Sequence, residues 1–332
     1  MDTPTPSSCR GRLFLVSIGP GNAHHMTPAA RAAIAAADVV IGYLTYLRLV
    51  ADLLDGKEVI KKGMTEEIDR AVEAIRHARA GRTVALISSG DVGIYGMAGP
   101  TFEALFAAGW RPDQEGEIDV EVIPGITALA AAAALVGAPL THDFCAISLS
   151  DLLTPWPVIA RRLAAAAAAD FVIALYNPKS GRRTQQIVEA QWLLMQHRAP
   201  ETPVAIVKSA FRTRQHVELT TLAKMAECEI GMLSTVLVGN STTFVAHGKM
   251  VTPRGYHHKY DADGSVRAGE RPAQSLSAGL AGFIAEVQNA LQPVAELAAR
   301  YQLPAAYLER LRTLSPSLRG APAPSGSADD SE

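Results

Sequence analysis

Residues 83–96 read TVALISSGDVGIYG, and this stretch decides the fold class. Its first part, residues 83–88, is a short run rich in apolar and β-branched residues, which predicts a buried strand. Three glycines and Asp91 follow directly and leave the main chain open, so that a flat ligand can approach backbone groups closely. The Asp91 carboxylate can accept hydrogen bonds from an amine or from ribose hydroxyl groups. The alternative for this loop is an ordinary Asp-Gly turn.

The alternation of strand and helix extends outward from this stretch on both sides. Thr27 and Pro28 form a helix start, with a capping hydroxyl followed by proline at the first helical position. A charged helix at residues 65–80 ends at Gly81, which is a usual C-terminal stop. Further strands are predicted at residues 13–18, 39–41 and 120–123. This alternation predicts an α/β fold with a largely parallel N-terminal sheet covered by helices.

The dipeptide Pro124-Gly125 interrupts the pattern and indicates a junction between two domains. After it, strands are predicted at residues 145–149, 171–176, 204–207 and 236–238, with a helix at 182–197. A polar linker then precedes apolar residues on one helical face from Leu276, a helical piece at 305–314 and a disordered end. We therefore expect a disordered tail (1–12), an N-terminal α/β domain (13–124), a C-terminal mixed-sheet α/β domain (125–260) and a terminal extension (261–332).

Two more glycine turns follow predicted strands. Gly19-Pro20-Gly21 comes between a strand and a helix, the position at which parallel sheets bind ligands. His24 stands where a dinucleotide fingerprint needs its third glycine, which disfavours a nicotinamide dehydrogenase. Residues 123–128, IPGITA, are predicted to form a turn that leads into a helix. The first N–H groups of this helix, with the Thr127 hydroxyl, would face the same crevice. Three such loops together predict a pocket for a small, planar, polar cofactor.

Length and charge narrow the class of protein. The chain has 332 residues, 48% of them apolar, and a net charge of −2. This length favours two domains, and the near-neutral charge argues against a nucleic-acid partner. No apolar stretch is long enough to cross a bilayer and no signal peptide is evident, so a cytoplasmic protein without a membrane partner is expected. Cys9, Cys145 and Cys228 form no CxxC pair and are expected to be reduced.

The motifs between residues 13 and 260 closely resemble the tetrapyrrole methylase family. The matching segments are VSIGPGN (16–22), GYLTYL (42–47), SSGDVGIYGMA (88–98), VIPGITA (122–128), ISLSDLLTPW (147–156), LYNPKS (175–180) and VGNS (238–241). GYLTYL, GDVGIYGMA and SLSDLLTPW are typical of the branch that methylates C17. The resemblance implies two α/β domains with S-adenosylmethionine in the cleft between them, and a homodimer. It also implies methylation of precorrin-3B at C17 with ring contraction to precorrin-4, on the route to cobalamin.

By the same resemblance, the cofactor contacts come from the three glycine loops and from strand ends of the second domain. The expected cofactor-binding residues are Pro20, Ser89, Gly90, Asp91, Ile94, Thr127, Ala128, Asn177 and Ala210. Relatives often carry glycine where this chain has Ala210. For the ring contraction, relatives place an acid/base residue near Tyr43 and a lysine near Lys62, and these two are the expected catalytic residues. The uroporphyrinogen-methylating relatives have aspartate where Tyr43 stands.

The tetrapyrrole substrate carries carboxylates, which arginine binds through two parallel hydrogen bonds and lysine binds as a point charge. The expected substrate-binding residues are Tyr46, Ser148, Ser150, Asp151 and Arg182. The cations Lys179, Arg183, Arg212 and Arg214 also follow predicted strands, with an ordinary surface charge as the alternative for each. The adjacent histidine pairs at 24–25 and 257–258 point apart in regular structure, and no metal site is expected.

Other functions stay open on the sequence alone. The same fold with nearly the same motifs would methylate the cobalt-containing substrate cobalt-precorrin-3, and methylation of another macrocycle position is a more distant alternative. A non-catalytic nucleotide-binding regulator is the alternative from a different class. In a regulator, the helices from Leu276 onward would be the interaction surface, and tight cofactor binding without methyl transfer would distinguish it from an enzyme.

Overall fold

The computed structural model describes residues 10–63 and 66–314. The chain up to Pro253 forms one compact unit, and the chain from Arg254 forms a second. Most of the tail predicted to be disordered lies outside the described residues, but Arg10 bonds to the carbonyl oxygens of Pro112 and Glu117, and a strand begins at Arg12. The end predicted to be disordered from Ser315 lies outside the described residues.

A parallel sheet of five strands carries the first glycine loops. Its strands, in the spatial order β3-β2-β4-β1-β5, are β1 (Arg12–Ser17), β2 (Val39–Tyr43), β3 (Glu58–Lys62), β4 (Thr83–Ser88) and β5 (Asp119–Ile123). The helices of this part are α1 (Pro28–Ala36), α2 (Leu44–Leu49), α3 (Glu67–Arg79) and α4 (Ala98–Ala107). All strand pairings in this sheet are parallel.

Helices cover both faces of this sheet, and the side-chain alternation of β1 shows it. Leu13 and Leu15 are buried in a cluster with residues of α3 and α4. Phe14 and Val16 are buried in a different cluster with residues of α1 and α2. A strand that is buried on both faces is apolar at every position, which explains the unbroken apolar run in the sequence.

The second half of the first unit contains a mixed sheet, in the spatial order β10-β9-β11-β8-β7. The strands of this half are β6 (Gly137–Ala138), β7 (Phe144–Ser148), β8 (Val172–Tyr176), β9 (Pro203–Lys208), β10 (His216–Thr221), β11 (Ser234–Val238), β12 (Phe244–Ala246) and β13 (Lys249–Val251). The strands β7 and β8 run parallel, whereas the other neighbours in this sheet are antiparallel. The helices are α5 (Ala128–Val136), α6 (Trp156–Ala168) and α7 (Gln186–Met195), and β12, β13 and β6 form a small third sheet.

The predicted fold class is confirmed, with differences at particular elements. The strands β3 and β10 were not predicted, because they mix charged or polar with apolar residues and neither contains a buried residue. The helix predicted at 182–197 is shorter, because residues 180–183 form a turn instead, closed by hydrogen bonds between Ser180 and Arg183. The division at residues 124 and 125 falls between β5 and α5, and it stays a prediction.

The second unit is a small helical body with its own apolar core. It contains α8 (Leu280–Asn289), α9 (Val294–Tyr301) and α10 (Ala305–Thr313). Ile284 and Val287 lie in its core, as the predicted helical face requires. Leu276 precedes the first helix and Leu291 is fully exposed, so the apolar face is shorter than predicted. Among the described residues, no helix is long and apolar enough to cross a membrane.

Candidate functional site

A cavity of about 170 Å³ opens at the carboxyl ends of strands from both five-stranded sheets. Loops that follow β1, β4 and β5 form one side, and loops that follow β8 and β9 or precede β11 form the other. The lining residues are Pro20, Tyr46, Ser89, Gly90, Asp91, Ile94, Tyr95, Thr127, Ala128, Tyr176, Asn177, Val207, Ser209, Ala210, Arg212, Met232, Leu233, Ser234 and Thr235. The cavity therefore joins the glycine loops singled out in the sequence.

The first two glycine loops are tied to each other by backbone hydrogen bonds. The N–H of Gly19 donates to the carbonyl oxygen of Gly90 at 3.1 Å, and the N–H of Gly90 donates back to Gly19 at 2.7 Å. Both glycines are in the left-handed region, with φ of 67° and 72°, which other residues rarely adopt. The hydroxyl of Ser17 also accepts a hydrogen bond from the N–H of Val92 at 2.8 Å. These bonds fix the two loops in one arrangement.

The Asp91 carboxylate connects the second loop to the third. One of its oxygens accepts a hydrogen bond from the N–H of Gly93 at 2.8 Å, and the other accepts from the N–H of Gly125 at 2.9 Å. Gly125 has to be glycine for steric reasons, because a Cβ there would lie 2.5 Å from the Cβ of Ser17 and 2.7 Å from the carbonyl oxygen of Gly90. Asp91 is therefore a structural acceptor within the cavity wall as well as a candidate ligand contact.

Tyr176, at the end of β8, caps the helix that begins after the third loop. Its hydroxyl accepts a hydrogen bond from the N–H of Leu129 at 2.8 Å and bonds to the Thr127 hydroxyl at 2.6 Å. The ring of Tyr95 lies 4.9 Å from the ring of Tyr176, and the Tyr95 hydroxyl donates to the carbonyl oxygen of Ala146 on β7. Burial raises the pKa of both tyrosines. The two rings thus join the loops of the parallel sheet to the mixed sheet.

Backbone strain concentrates around this cavity. Tyr95, Ser209 and Phe211 have φ between 52° and 56°, in the left-handed region that residues other than glycine and asparagine seldom adopt, and Asn177 shares this region with φ of 50°. Three of the four line the cavity and Phe211 is adjacent to Ala210 and Arg212, which also line it. Such residues persist only where the surrounding structure holds them, and they cluster at functional sites.

Arg212 reaches from the loop after β9 to the first two of the three glycine loops of the first sheet. Its Nε donates to the carbonyl oxygen of Pro20 at 2.5 Å, and its Nη2 donates to the hydroxyl of Ser89 at 2.8 Å. Burial lowers the pKa of Arg212, and nearby Tyr46 acts in the opposite direction. The cavity wall thus contains a desolvated cation as well as the Asp91 carboxylate.

The structure brings together all nine residues that were predicted to bind the cofactor, and Tyr46 with them. Tyr43 and Lys62, the predicted catalytic residues, lie side by side at the ends of β2 and β3 but do not line the cavity. The ring of Tyr43 packs edge-on against that of Tyr46, with centroids 5.4 Å apart. Burial raises the pKa of Tyr46, whereas Arg212 and Arg70 act to lower it.

The remaining predicted substrate contacts lie beside the cavity. The Ser148 hydroxyl accepts a hydrogen bond from the side-chain amide of Asn177 at 3.0 Å, and the Ser150 hydroxyl accepts one from Arg183 at 3.0 Å. Arg183 also donates to the carbonyl oxygen of Asn177 at 3.0 Å. The other two residues of the prediction are peripheral: Asp151 is exposed and accepts a hydrogen bond from Gln186, and Arg182 is exposed. The roles of all four stay predictions.

Sequence reasoning did not single out Tyr95, Tyr176, Ser209 or Thr235, which also line the cavity. Tyr95 stands inside the glycine loop SSGDVGIYGMA and Tyr176 inside LYNPKS, so the signals that could have found them are an aromatic residue within a glycine loop and one at the end of a predicted strand. Ser209 and Thr235 stand outside every quoted motif and enter only through the folding of the second sheet. Within the described ranges, no group of three or more His, Cys, Asp or Glu residues is arranged to hold a metal ion.

Comparison with known proteins agrees with this architecture. The sequence profile of the tetrapyrrole (corrin/porphyrin) methylases matches residues 12–226. This match spans well over half of the chain, so the chain belongs to this family. It confirms the resemblance drawn from the glycine loops and from the motifs between them.

Individual relatives are similar over most of the first unit. A Priestia megaterium protein named cobalt-factor III methyltransferase is 55% identical over 251 residues, which are 76% of this chain and 46% of that protein. The chain thus spans about half the length of this relative. A Salmonella typhimurium protein named probable cobalt-factor III C(17)-methyltransferase is 51% identical over 244 residues, which are 74% of this chain and 99% of that protein.

Solved structures show the same fold. The crystal structure of the methyltransferase CobJ has a TM-score of 0.68 and 36% identity, and the match covers 73% of this chain and all of that one. A uroporphyrin-III C-methyl transferase from Thermus thermophilus, complexed with S-adenyl homocysteine, has a TM-score of 0.56 and 27% identity, with 69% and 97% of the two chains covered. The two-sheet architecture is therefore that of the methylases.

Proposed function

We propose that this chain transfers a methyl group from S-adenosylmethionine to C17 of a precorrin-3-type tetrapyrrole, with contraction of the macrocycle, in cobalamin biosynthesis. The observation that carries the proposal is the single cavity in which the three glycine loops of a tetrapyrrole methylase meet. The names of the Priestia and Salmonella relatives support C17 methylation in particular.

The chemistry of the cavity wall fits S-adenosylmethionine. Gly90 leaves room beside its main chain, since a Cβ there would make only ordinary contacts, the nearest at 3.6 Å from the N of Ala128. Asp91 offers carboxylate oxygens to an ammonium group or to ribose hydroxyls. Ala128, the first residue of α5, lines the cavity, and the first N–H groups of a helix have no partner within the helix. Polar main-chain groups, one carboxylate and one cation together suit a zwitterionic nucleoside derivative.

The protein's part in the reaction is mainly to bind and orient. S-adenosylmethionine supplies an electrophilic methyl group, so the cavity has to hold a nucleophilic ring carbon in line with it. Ring contraction also requires proton movement, for which a positioned acid or base is needed. Tyr46 is the tyrosine of the GYLTYL motif that lines the cavity, and its hydroxyl is protonated at neutral pH and can donate a proton. We propose that Tyr46 donates this proton, and that Tyr43, which packs against Tyr46, and Lys62, which lies beside Tyr43, assist in the catalytic step.

The sequence left two alternatives open: a regulator that catalyses no reaction, and a substrate that contains cobalt. A non-catalytic regulator has no support, because the matching family and both named relatives are methylases. Whether the substrate contains cobalt requires an experiment, because the motifs favour metal-free precorrin-3B whereas the names of these relatives specify cobalt-factor III. Precorrin-3B stays the substrate proposed from the motifs, and cobalt-precorrin-3 and cobalt-factor III are assayed beside it.

The experiment is an anaerobic incubation of the purified chain with S-adenosylmethionine and each tetrapyrrole in turn. Mass spectrometry measures the added methyl group, and the pigment spectrum reports the contracted ring. One added methyl with the spectral change supports the proposal and identifies the substrate that reacts. Cofactor binding without methyl transfer to any of the tetrapyrroles would contradict it.

Two properties of the family enter the proposal as well. We propose a homodimer and a cytoplasmic location, in keeping with the resemblance. Size-exclusion chromatography with light scattering measures the mass in solution, and a monomer at working concentrations would contradict the dimer.

A further inference from the structure

Arg212 and Asp91 are the two charged side chains among the described residues that line the cavity. Both Asp91 oxygens accept backbone hydrogen bonds, from Gly93 and Gly125. Arg212 contacts the Pro20 carbonyl and the Ser89 hydroxyl, and no carboxylate of the described residues pairs with it. A partly buried guanidinium without an opposite charge is unfavourable, because desolvation is not offset by an ion pair.

A second buried arginine shows what a purely structural role looks like in this protein. Arg198 is 6% exposed and forms an ion pair with Asp170 at 3.6 Å. It also donates to the carbonyl oxygens of Ala166, Ala167, Phe171 and Gly239. Arg212 differs in each respect: it has one carbonyl and one hydroxyl partner, and its Nη1 donates to no atom of the described residues. It therefore retains hydrogen-bonding capacity for a ligand.

The surrounding backbone is shaped to hold this guanidinium. Gly21 has φ of 125°, and a Cβ there would lie 2.8 Å from the Nε of Arg212 and 3.2 Å from its Cγ. On its own loop, Arg212 directly follows Phe211, which adopts the left-handed conformation, as does Ser209 two positions earlier. The loop at Gly21 and the loop at Phe211 come from different sheets. Both have a restricted or unfavourable backbone conformation where they lie beside the Arg212 side chain.

We propose that Arg212 binds a carboxylate group of a ligand in this cavity. The inference rests on the proposed function, in which two ligands carry such a group: the methionine moiety of S-adenosylmethionine and the acid side chains of the tetrapyrrole. A carboxylate matches the fork of a guanidinium and supplies the missing opposite charge. The lowered pKa that burial gives to Arg212 agrees with a cation that is desolvated before any ligand binds.

The test compares Arg212→Gln with Arg214→Gln, an exposed arginine of the same loop that does not line the cavity. Isothermal titration calorimetry measures the Kd of S-adenosylmethionine and of its decarboxylated form. If the cofactor carboxylate is the ligand, Arg212→Gln raises the Kd of S-adenosylmethionine by about tenfold to a hundredfold. The Kd of the decarboxylated form stays within about twofold, and Arg214→Gln changes neither.

A second titration covers the tetrapyrrole, with quenching of uroporphyrin III fluorescence as the measure of binding. If the macrocycle supplies the carboxylate, Arg212→Gln raises the Kd of uroporphyrin III by at least about tenfold and leaves both forms of the cofactor unchanged. Either pattern supports the inference and identifies the source.

Three results overturn the inference. In the first, Arg212→Gln leaves all three Kd values unchanged. In the second, it raises the Kd of the decarboxylated form as much as that of S-adenosylmethionine, which means that the arginine only maintains the cavity. In the third, the unmodified chain binds neither the cofactor nor the porphyrin, and then the proposed function fails first. In the first two results the unmodified chain still binds S-adenosylmethionine, so the two failures are distinguishable.

Discussion

At the scale of the residue, Tyr43 and Tyr46 show how one motif can hold two candidate side chains, of which one lines the cavity. Both belong to GYLTYL, and both lie near the carboxyl end of β2. Because α2 begins at Leu44, Tyr46 lies on the helix and its side chain reaches the cavity, whereas Tyr43 still belongs to the strand. The choice between them depends on where one helix begins, which a motif does not specify.

We expect Tyr46→Phe to retain cofactor binding and to slow the reaction. The ring still packs against Tyr43, but the hydroxyl that could move a proton is removed, and loss of a general acid or base costs about a hundredfold or more in rate. Single-turnover formation of the contracted product measures the change. Tyr43→Phe is the matched control, and an effect as large as that of Tyr46→Phe would contradict the role assigned to Tyr46.

The buried tyrosines also predict how stability changes at alkaline pH. Burial raises the pKa of Tyr46, Tyr95 and Tyr176 above the ordinary value of 10.0. The unfolded chain therefore loses these protons at lower pH than the folded protein, and stability is full below about pH 10 and declines as pH rises through the folded pKa values. Urea unfolding between about pH 9 and pH 11 measures this decline. We expect a smaller decline for Tyr46→Phe, and an unchanged slope would contradict the assignment.

At the scale of the element, the three glycine loops act as one packed unit. The loop after β1 bonds to the loop after β4 through Gly19 and Gly90, and the loop after β5 joins them through Asp91 and Gly125. Each contact uses the main chain on at least one side. A side chain added at Gly125 would therefore meet main-chain atoms of another loop, and that loop would have to move.

We expect Gly125→Ala to lower the free energy of unfolding by about 1–3 kcal/mol, because its Cβ would overlap Ser17 and the main chain at Gly90. Binding of S-adenosylmethionine should weaken with it. The control is Gly99→Ala in α4, where an added Cβ has no atom within 4 Å and alanine favours the helix. Chemical denaturation measures both variants, and equal stability of the two would contradict the packing argument.

The sequence predicts the elements whose residues are buried, because burial leaves a run of apolar residues in the sequence itself. The interior strands β1, β4 and β8 are unbroken apolar runs, and they were predicted within a residue or two. The strands β3 and β10 were missed, because none of their residues is buried and polar residues such as Glu58 and His216 are tolerated there. The edge strands β5 and β7 were predicted, since each contains a buried isoleucine.

The candidate site divides in the same way. Its glycine loops were predicted, because each directly follows a predicted strand. Arg212 was only one of several cations near strand ends, because its partners Pro20 and Ser89 are far away in the sequence. Contacts between the two sheets depend on how the halves of the first unit pack, which no local motif encodes.

At the scale of the whole molecule, the chain consists of two compact units with separate apolar cores. The first unit ends just after β13, the central strand of the small third sheet. Thr252, which follows β13, is fully buried, and its N–H donates to the carbonyl oxygen of Ala138. The cavity residues all precede this point.

We expect a chain that ends after Pro253 to fold and to retain methyl transfer. The cut leaves Thr252 and β13 in place, so the first unit loses none of its own strands. A chain that ends after Gly248 is the control: it removes the fully buried Met250 and should lose more than about 2 kcal/mol of stability. Thermal unfolding and the methyl-transfer assay measure both. If the chain that ends after Pro253 is insoluble, independent folding of the first unit is contradicted.

The reciprocal hydrogen bonds between Gly19 and Gly90 form an antiparallel bridge just beyond the carboxyl ends of the parallel strands β1 and β4. One side of the cavity is thereby a fixed floor, since separating these loops breaks backbone hydrogen bonds inside the protein. Side chains connect this floor to the opposite wall: Arg212 reaches from the loop after β9 to Pro20, and Tyr95 reaches from the loop after β4 to Ala146 on β7. If exchange of the spent methyl donor for a fresh one requires a wall to move, we expect the wall from the second sheet to move and the floor to stay in place.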